Sequence, residues 1–130
     1  MRRSIRSAVV IATAMASLGM GTAAWAGSTS TKLSNGTLSF DSTNGRLVSG
    51  NSSLFYSAVK YSKTGGGSIS LKFLVDVGSK TYTSPSYSMT SGQSKTHSFG
   101  GNPVPSSCRS TGGINVSGQG YFWTPSLNPC

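Results

Sequence analysis

Acid–base chemistry has few carriers in this chain. Beyond residue 26 it holds one histidine, His97, and two carboxylates, Asp41 and Asp76, with no glutamate. A Ser-His-Asp set can be assembled on paper from these and any of many serines. Such a triad is defined by geometry, however, and no G-x-S-x-G turn presents a nucleophile. His97 stands in the polar run Lys95-Thr96-His97-Ser98, the setting of an exposed strand histidine. Glycoside cleavage usually requires two carboxylates flanking the bond, and Asp76 precedes Val77-Gly78, where aspartate commonly starts a turn. Gly65-Gly66-Gly67 is followed by neither a helical pattern nor a P-loop lysine, so it makes no phosphate cradle. Two cysteines far apart and a lone histidine do not form a zinc set. With no catalytic set, no metal ligands and no cofactor motif, the expectation is a non-enzymatic binding protein.

The cysteines suggest a different role. Residues 1–26 have the three parts of a secretory signal peptide: a basic start with Arg2, Arg3 and Arg6, an apolar run from Ala8 to about Gly21, and the small-residue site Ala24-Trp25-Ala26. The run is too short and too interrupted, by Thr13 and Ser17, to span a bilayer well. Export with cleavage after Ala26 is expected. The Arg2-Arg3 pair permits twin-arginine export, but Ser4-Ile5-Arg6 suits it poorly, and the general secretory route is favoured. An exported chain with two cysteines implies one disulfide, Cys108 to Cys130. It would act as a structural staple and hold down a terminus that otherwise frays.

Removing the leader leaves residues 27–130, enough for one domain, and lowers the formal charge from +9 to +6 as its three arginines go. The remaining cations, Lys32, Arg46, Lys60, Lys63, Lys72, Lys80, Lys95 and Arg109, are scattered singly. Nucleic-acid binders concentrate such charges on one face or arm, so no nucleic-acid partner is expected. A modest positive charge keeps the protein soluble or gives it a loose attraction to anionic cell walls or phospholipid surfaces.

The elements that must position these residues are strands. Apolar residues recur with a period of two: Ile69, Leu71, Phe73, Val75 and Val77 fall on one face, and Ser70, Lys72 and Asp76 on the other. Leu54 to Tyr61 is rich in β-branched and aromatic residues. With Gly65-Gly66-Gly67 between the two runs, a long hairpin from about Leu54 to Val77 is predicted. Gly78-Ser79-Lys80 turns into a short strand, Thr81-Tyr82-Thr83, ended by Pro85. Further strands are expected at Thr37–Phe40, Arg46–Val48, Tyr87–Met89, Lys95–Phe99, Gly113–Ser117 and Tyr121–Trp123. Short strands separated by turn residues, with no sustained helical period, describe an all-β fold. The expected architecture is a single small antiparallel β-sandwich, Ig-like or a small barrel, over residues 37–130.

Two features stand outside that frame. Tyr121, Phe122 and Trp123 cannot all face one way, because alternate strand residues point to opposite faces. Tyr121 and Trp123 therefore share a face, either closing the core or exposed as contact aromatics. Residues 27–36 are polar, and their Ser28-Thr29-Ser30-Thr31-Lys32-Leu33 stretch holds a single apolar side chain. That composition describes a flexible N-terminal arm, either a frayed terminus or a segment that orders when it adds as a strand to a partner.

A further pattern is the order of short motifs: Tyr61-Ser62-Lys63-Thr64-Gly65, Ser91-Gly92-Gln93-Ser94-Lys95-Thr96, Ser107-Cys108, Val116-Ser117-Gly118-Gln119-Gly120 and Thr124-Pro125 with Cys130. In this order the chain resembles the small adaptor subunit of the actinobacterial umbrella toxin particles. The motifs are short, of common residue types, and spread over most of the chain beyond the leader. The resemblance implies a protein without catalysis of its own. It would join a toxin spoke built from helical repeats to a lectin-bearing subunit, so its partners would be proteins of a secreted complex. The spoke-binding extension would lie within Ser28, Thr29, Ser30, Thr31, Lys32 and Leu33.

Two other functions fit the composition. One is a stand-alone carbohydrate or cell-wall binder, with Tyr121 and Trp123 stacking on sugar rings. The other is a small cationic antimicrobial or a protease inhibitor, the latter using the loop Pro103 to Arg109 beside Cys108.

Overall fold

The computed structural model describes residues 26–130. The expected signal peptide, apart from Ala26, lies outside the described residues. Among the described residues there are eight strands: β1 Ala26–Leu33, β2 Gly36–Asn44, β3 Leu54–Lys63, β4 Ile69–Asp76, β5 Thr81–Met89, β6 Ser94–Pro103, β7 Ser110–Val116 and β8 Gly120–Leu127. They form two four-stranded antiparallel sheets, in the orders β1-β2-β3-β6 and β5-β4-β7-β8. The all-β sandwich expected from the period-two pattern is the observed fold. Cys108 and Cys130 form its disulfide.

Alternation places the core between the sheets. Leu38 and Phe40 of β2 and Phe55, Val59 and Tyr61 of β3 meet Leu71, Phe73 and Val75 of β4 and Ile114 and Val116 of β7, all buried. Gly112 brings the sheets together: a Cβ there would lie 2.5 Å from the Phe40 ring. On one flank β1 runs beside β8, with the Leu127 side chain 3.4 Å from where a Cβ of Gly27 would stand. On the other flank β5 and β6 meet through the Tyr87 hydroxyl and His97 Nδ1 at 2.8 Å.

Four expectations of local structure are corrected. β3 and β4 do not form a hairpin, because β3 pairs with β2 and β6 while β4 pairs with β5 and β7. Each strand has one strongly apolar face, so the chain arches over the end of the sandwich and sets those faces against each other. Gly66, at φ +76°, is placed in that arch. Pro85 does not end a strand. β5 runs on to Met89 as a sheet edge with an irregularity in its pairing to β4, where the N–H that proline lacks is not required. Arg46 and Leu47 belong to a 3-10 turn, Gly45–Leu47, because the Asn44 side chain caps it by accepting from the Arg46 N–H at 2.9 Å.

The fourth correction concerns the arm. Residues 26–33 form β1, paired in uninterrupted register with β2 from Ala26↔Thr43 to Leu33↔Gly36. Thr29, Thr31 and Leu33 turn inward and are half-buried, while Ser28, Ser30 and Lys32 face water. Threonine fits a pleated, half-buried surface, and the tight connection through Ser34 and Asn35 folds the strand back on its neighbour. The flexible arm expected over residues 27–36 is thus an edge strand of the domain.

Candidate functional site

The three acid–base side chains are held in separate structural bonds. Asp41 accepts from the Ser28 hydroxyl at 2.5 Å, and Asp76 accepts from the Gly78 N–H at 2.7 Å, fixing the β4–β5 turn. His97, expected to be exposed, is half-buried. Its ring meets Tyr87 and Phe99 edge-on, with centroids at 5.9 and 4.8 Å. Among the described residues no three His, Cys, Asp or Glu side chains gather as metal ligands would. No helix among them is long and apolar enough to cross a membrane.

Where the β1–β8 flank opens, a cleft lies between the sheets, bordered by Leu33, Tyr61, Lys63, Ile69 and Phe122, with an interior of about 30 Å³. That volume holds roughly one water. Lys63 is 2 % exposed, and its ammonium donates to the Gly65 carbonyl. Its stem therefore caps the end of the core and its head caps the loop above.

Two surfaces remain open. The first is the outer edge of β1. Among the described residues four strands end the two sheets: β1, β6, β5 and β8. Three of them carry devices that block edge pairing. β5 has Pro85 and an irregular register, β6 has Pro103 and a register shift opposite Ser57 and Ala58, and β8 has Pro125 and a shift opposite Thr111 and Gly113. β1 has no proline and no bulge, and Lys32 is its one charge. The stretch Ser28 to Leu33, named from the sequence, lies within this edge.

The second surface is the outward face of β8. Phe122 turns toward the core, and Tyr121 and Trp123 point out at 61 % and 38 % exposure. The sequence left two faces open for this pair, and the structure places it on the solvent side. The rings are parallel within 2°, with centroids 6.0 Å apart. Trp123 has a seat. It stands opposite Gly113 of β7, where a Cβ would lie 2.4 Å from its Cε3. Beyond Gly113 in the same row is Leu74, 3 % exposed yet outside the core cluster. The indole lies against the glycine, in the row that continues to this outward-facing leucine. Sequence reasoning missed the seat. Its signal was the Gly112-Gly113 pair, since glycine inside a strand marks a close approach, here one on each face.

The disulfide fastens the tail beside these surfaces, with Cα atoms of Cys108 and Cys130 5.4 Å apart. No family model matches the chain, and no curated protein and no solved structure matches it either.

Proposed function

We propose that the chain is a secreted, non-enzymatic adaptor, exported with its leader cleaved after Ala26, that assembles an antibacterial toxin complex. In this reading it links a repeat-containing toxin spoke to a lectin-bearing subunit. The supporting observation is the edge of β1. Among the described residues it is the one sheet edge without a proline or a bulge, and it coincides with the stretch to which the resemblance assigns spoke binding. An extended segment of the partner adds to such an edge through main-chain hydrogen bonds, and the alternate side chains supply selectivity.

The test uses two adjacent proline variants. In an antiparallel pair, alternate residues exchange hydrogen bonds with the neighbouring strand. Of Ser30→Pro and Thr31→Pro, one removes an N–H bonded to β2 and the other an N–H facing outward. The tagged chain is recovered from the culture medium of its producing cells, and its co-purifying proteins are identified. The outward-facing variant should keep wild-type thermal stability and lose its partners. Recovery of the wild-type chain only as a monomer, or partners retained by both variants, would overturn the reading.

A further inference from the structure

We propose that the outward face of the second sheet, around Tyr121 and Trp123, is a binding site for an anionic polysaccharide. This site lies on the other sheet from the β1 edge and goes beyond the adaptor reading.

The first ground is that the aromatic pair is built rather than merely left exposed. Trp123 and Tyr121 sit two residues apart on a paired strand, with parallel rings. The indole is seated where Gly113 leaves space, and Leu74 is the next residue in the same cross-strand row. Aromatic side chains held this way lose little conformational freedom when a ligand stacks on them.

The second ground is the chemistry around the pair. The strand register sets two rows across the face, Ser86–Lys72–Asn115–Tyr121 and Thr83–Leu74–Gly113–Trp123. A third row follows at its edge, where the Thr111 and Ser126 hydroxyls are bonded at 2.7 Å. A pyranose presents an apolar C–H face and a rim of hydroxyls. The rings meet the first, and Asn115 and the Ser and Thr hydroxyls meet the second.

The third ground is charge. Lys72 stands on this face, and Arg109 borders it with Nη2 on the Ser126 hydroxyl at 3.1 Å. The one carboxylate there, Asp76, has Oδ1 engaged by the Gly78 N–H. The chain beyond the leader has eight cationic side chains against two carboxylates. A sugar chain bearing carboxylates therefore complements the face better than a neutral one.

The experiment is calorimetric titration of the disulfide-intact chain, residues 27–130, with three probes. These are a β-1,4-linked glucuronic acid oligomer, a cello-oligosaccharide of equal length, and polyglutamate. The first two differ only at the C6 carboxylate, and the third carries charge without sugar. Trp123 is the one tryptophan within residues 27–130, so its fluorescence gives a second readout. The uronate oligomer should bind and quench Trp123, and the neutral oligomer should bind more weakly. Tyr121→Ala, at an exposed position where folding is not at stake, should weaken uronate binding by about tenfold or more. Lys72→Ala should bring the uronate down to the level of the neutral sugar. The outward-facing β1 proline variant should leave all of this unchanged, which keeps the outcome separate from that of the adaptor reading.

No binding of the uronate, equal binding by Tyr121→Ala, or polyglutamate binding as tight as the uronate would each refute the proposal. Loss of a protein partner on Tyr121→Ala, with no sugar bound, would refute it too and make the face a protein interface.

Discussion

Asn44 and Pro129, 85 positions apart in the chain, are joined by a buried hydrogen bond: Asn44 Nδ2 donates to the Pro129 carbonyl at 2.9 Å. The same side chain accepts from the Arg46 N–H at 2.9 Å and donates to the Ser52 carbonyl at 3.3 Å. One amide thus ties the end of β2, the 3-10 turn and the tail together. Asn44→Ala should destabilise the fold by about 1–3 kcal/mol, because it strands the Pro129 carbonyl in a buried site. Asn44→Asp retains the acceptor for Arg46 and loses the donor. A urea midpoint for Asn44→Asp equal to wild type would show that the tail bond contributes nothing.

The Cys108–Cys130 bridge fastens the same tail, closing a loop of sequence separation 22. Replacing both cysteines with alanine should remove about 2–4 kcal/mol, chiefly by freeing the unfolded chain. Because Pro129 remains buried and bonded to Asn44, the folded state should keep its β-sheet circular dichroism and its Trp123 emission. A shifted emission in the folded double variant would mean that the bridge also shapes the outward face of β8.

Lys63 supports a third expectation. It is nearly fully buried at the end of β3, and both carboxylates of the described residues are engaged elsewhere, by Ser28 and by Gly78. Its four-carbon stem fills space that an apolar side chain of similar length can fill. Lys63→Met should therefore be neutral or stabilising, since burying a charge without a counter-ion is unfavourable. Lys63→Ala should lose about 2–4 kcal/mol through the cavity it opens. Equal losses in both variants, read from denaturant midpoints, would assign the lysine's value to its bond with the Gly65 carbonyl instead.

The period-two run at Ile69–Val77 made β4 and its inward face legible, and so did the glycines at 118 and 120 for the β7–β8 turn. What the alternation could not carry was the partner of each strand. β3 and β4 read as a hairpin because a glycine-rich loop between two apolar strands serves a hairpin and an inter-sheet arch equally well. β1 was missed because its alternation is threonine against serine, with almost no hydrophobic contrast until Leu33. For the contact face, residue spacing put Tyr121 and Trp123 together. Which side they faced depended on Phe122 finding the core and on Gly113 admitting the indole, and both are relations between strands. The pairing of Cys108 with Cys130 followed from there being only two cysteines.

Tyr61 contributes a pH dependence to stability at the alkaline end. Its side chain faces inward from β3 and is 4 % exposed, and burial raises its pKa above the ordinary 10.0 by disfavouring the phenolate. A raised value in the folded state means that the unfolded chain loses this proton first as the solution becomes alkaline. Stability gained from the neutral phenol is then complete below pH 10, the unfolded value, and declines as pH rises from there toward the folded pKa. Tyr61→Phe leaves the ring in place and removes the titrating proton. Urea unfolding followed from pH 8 to 11 should therefore show a steeper alkaline decline for the wild type than for Tyr61→Phe. Identical slopes would mean that the Tyr61 hydroxyl already titrates as freely as it does in the unfolded chain.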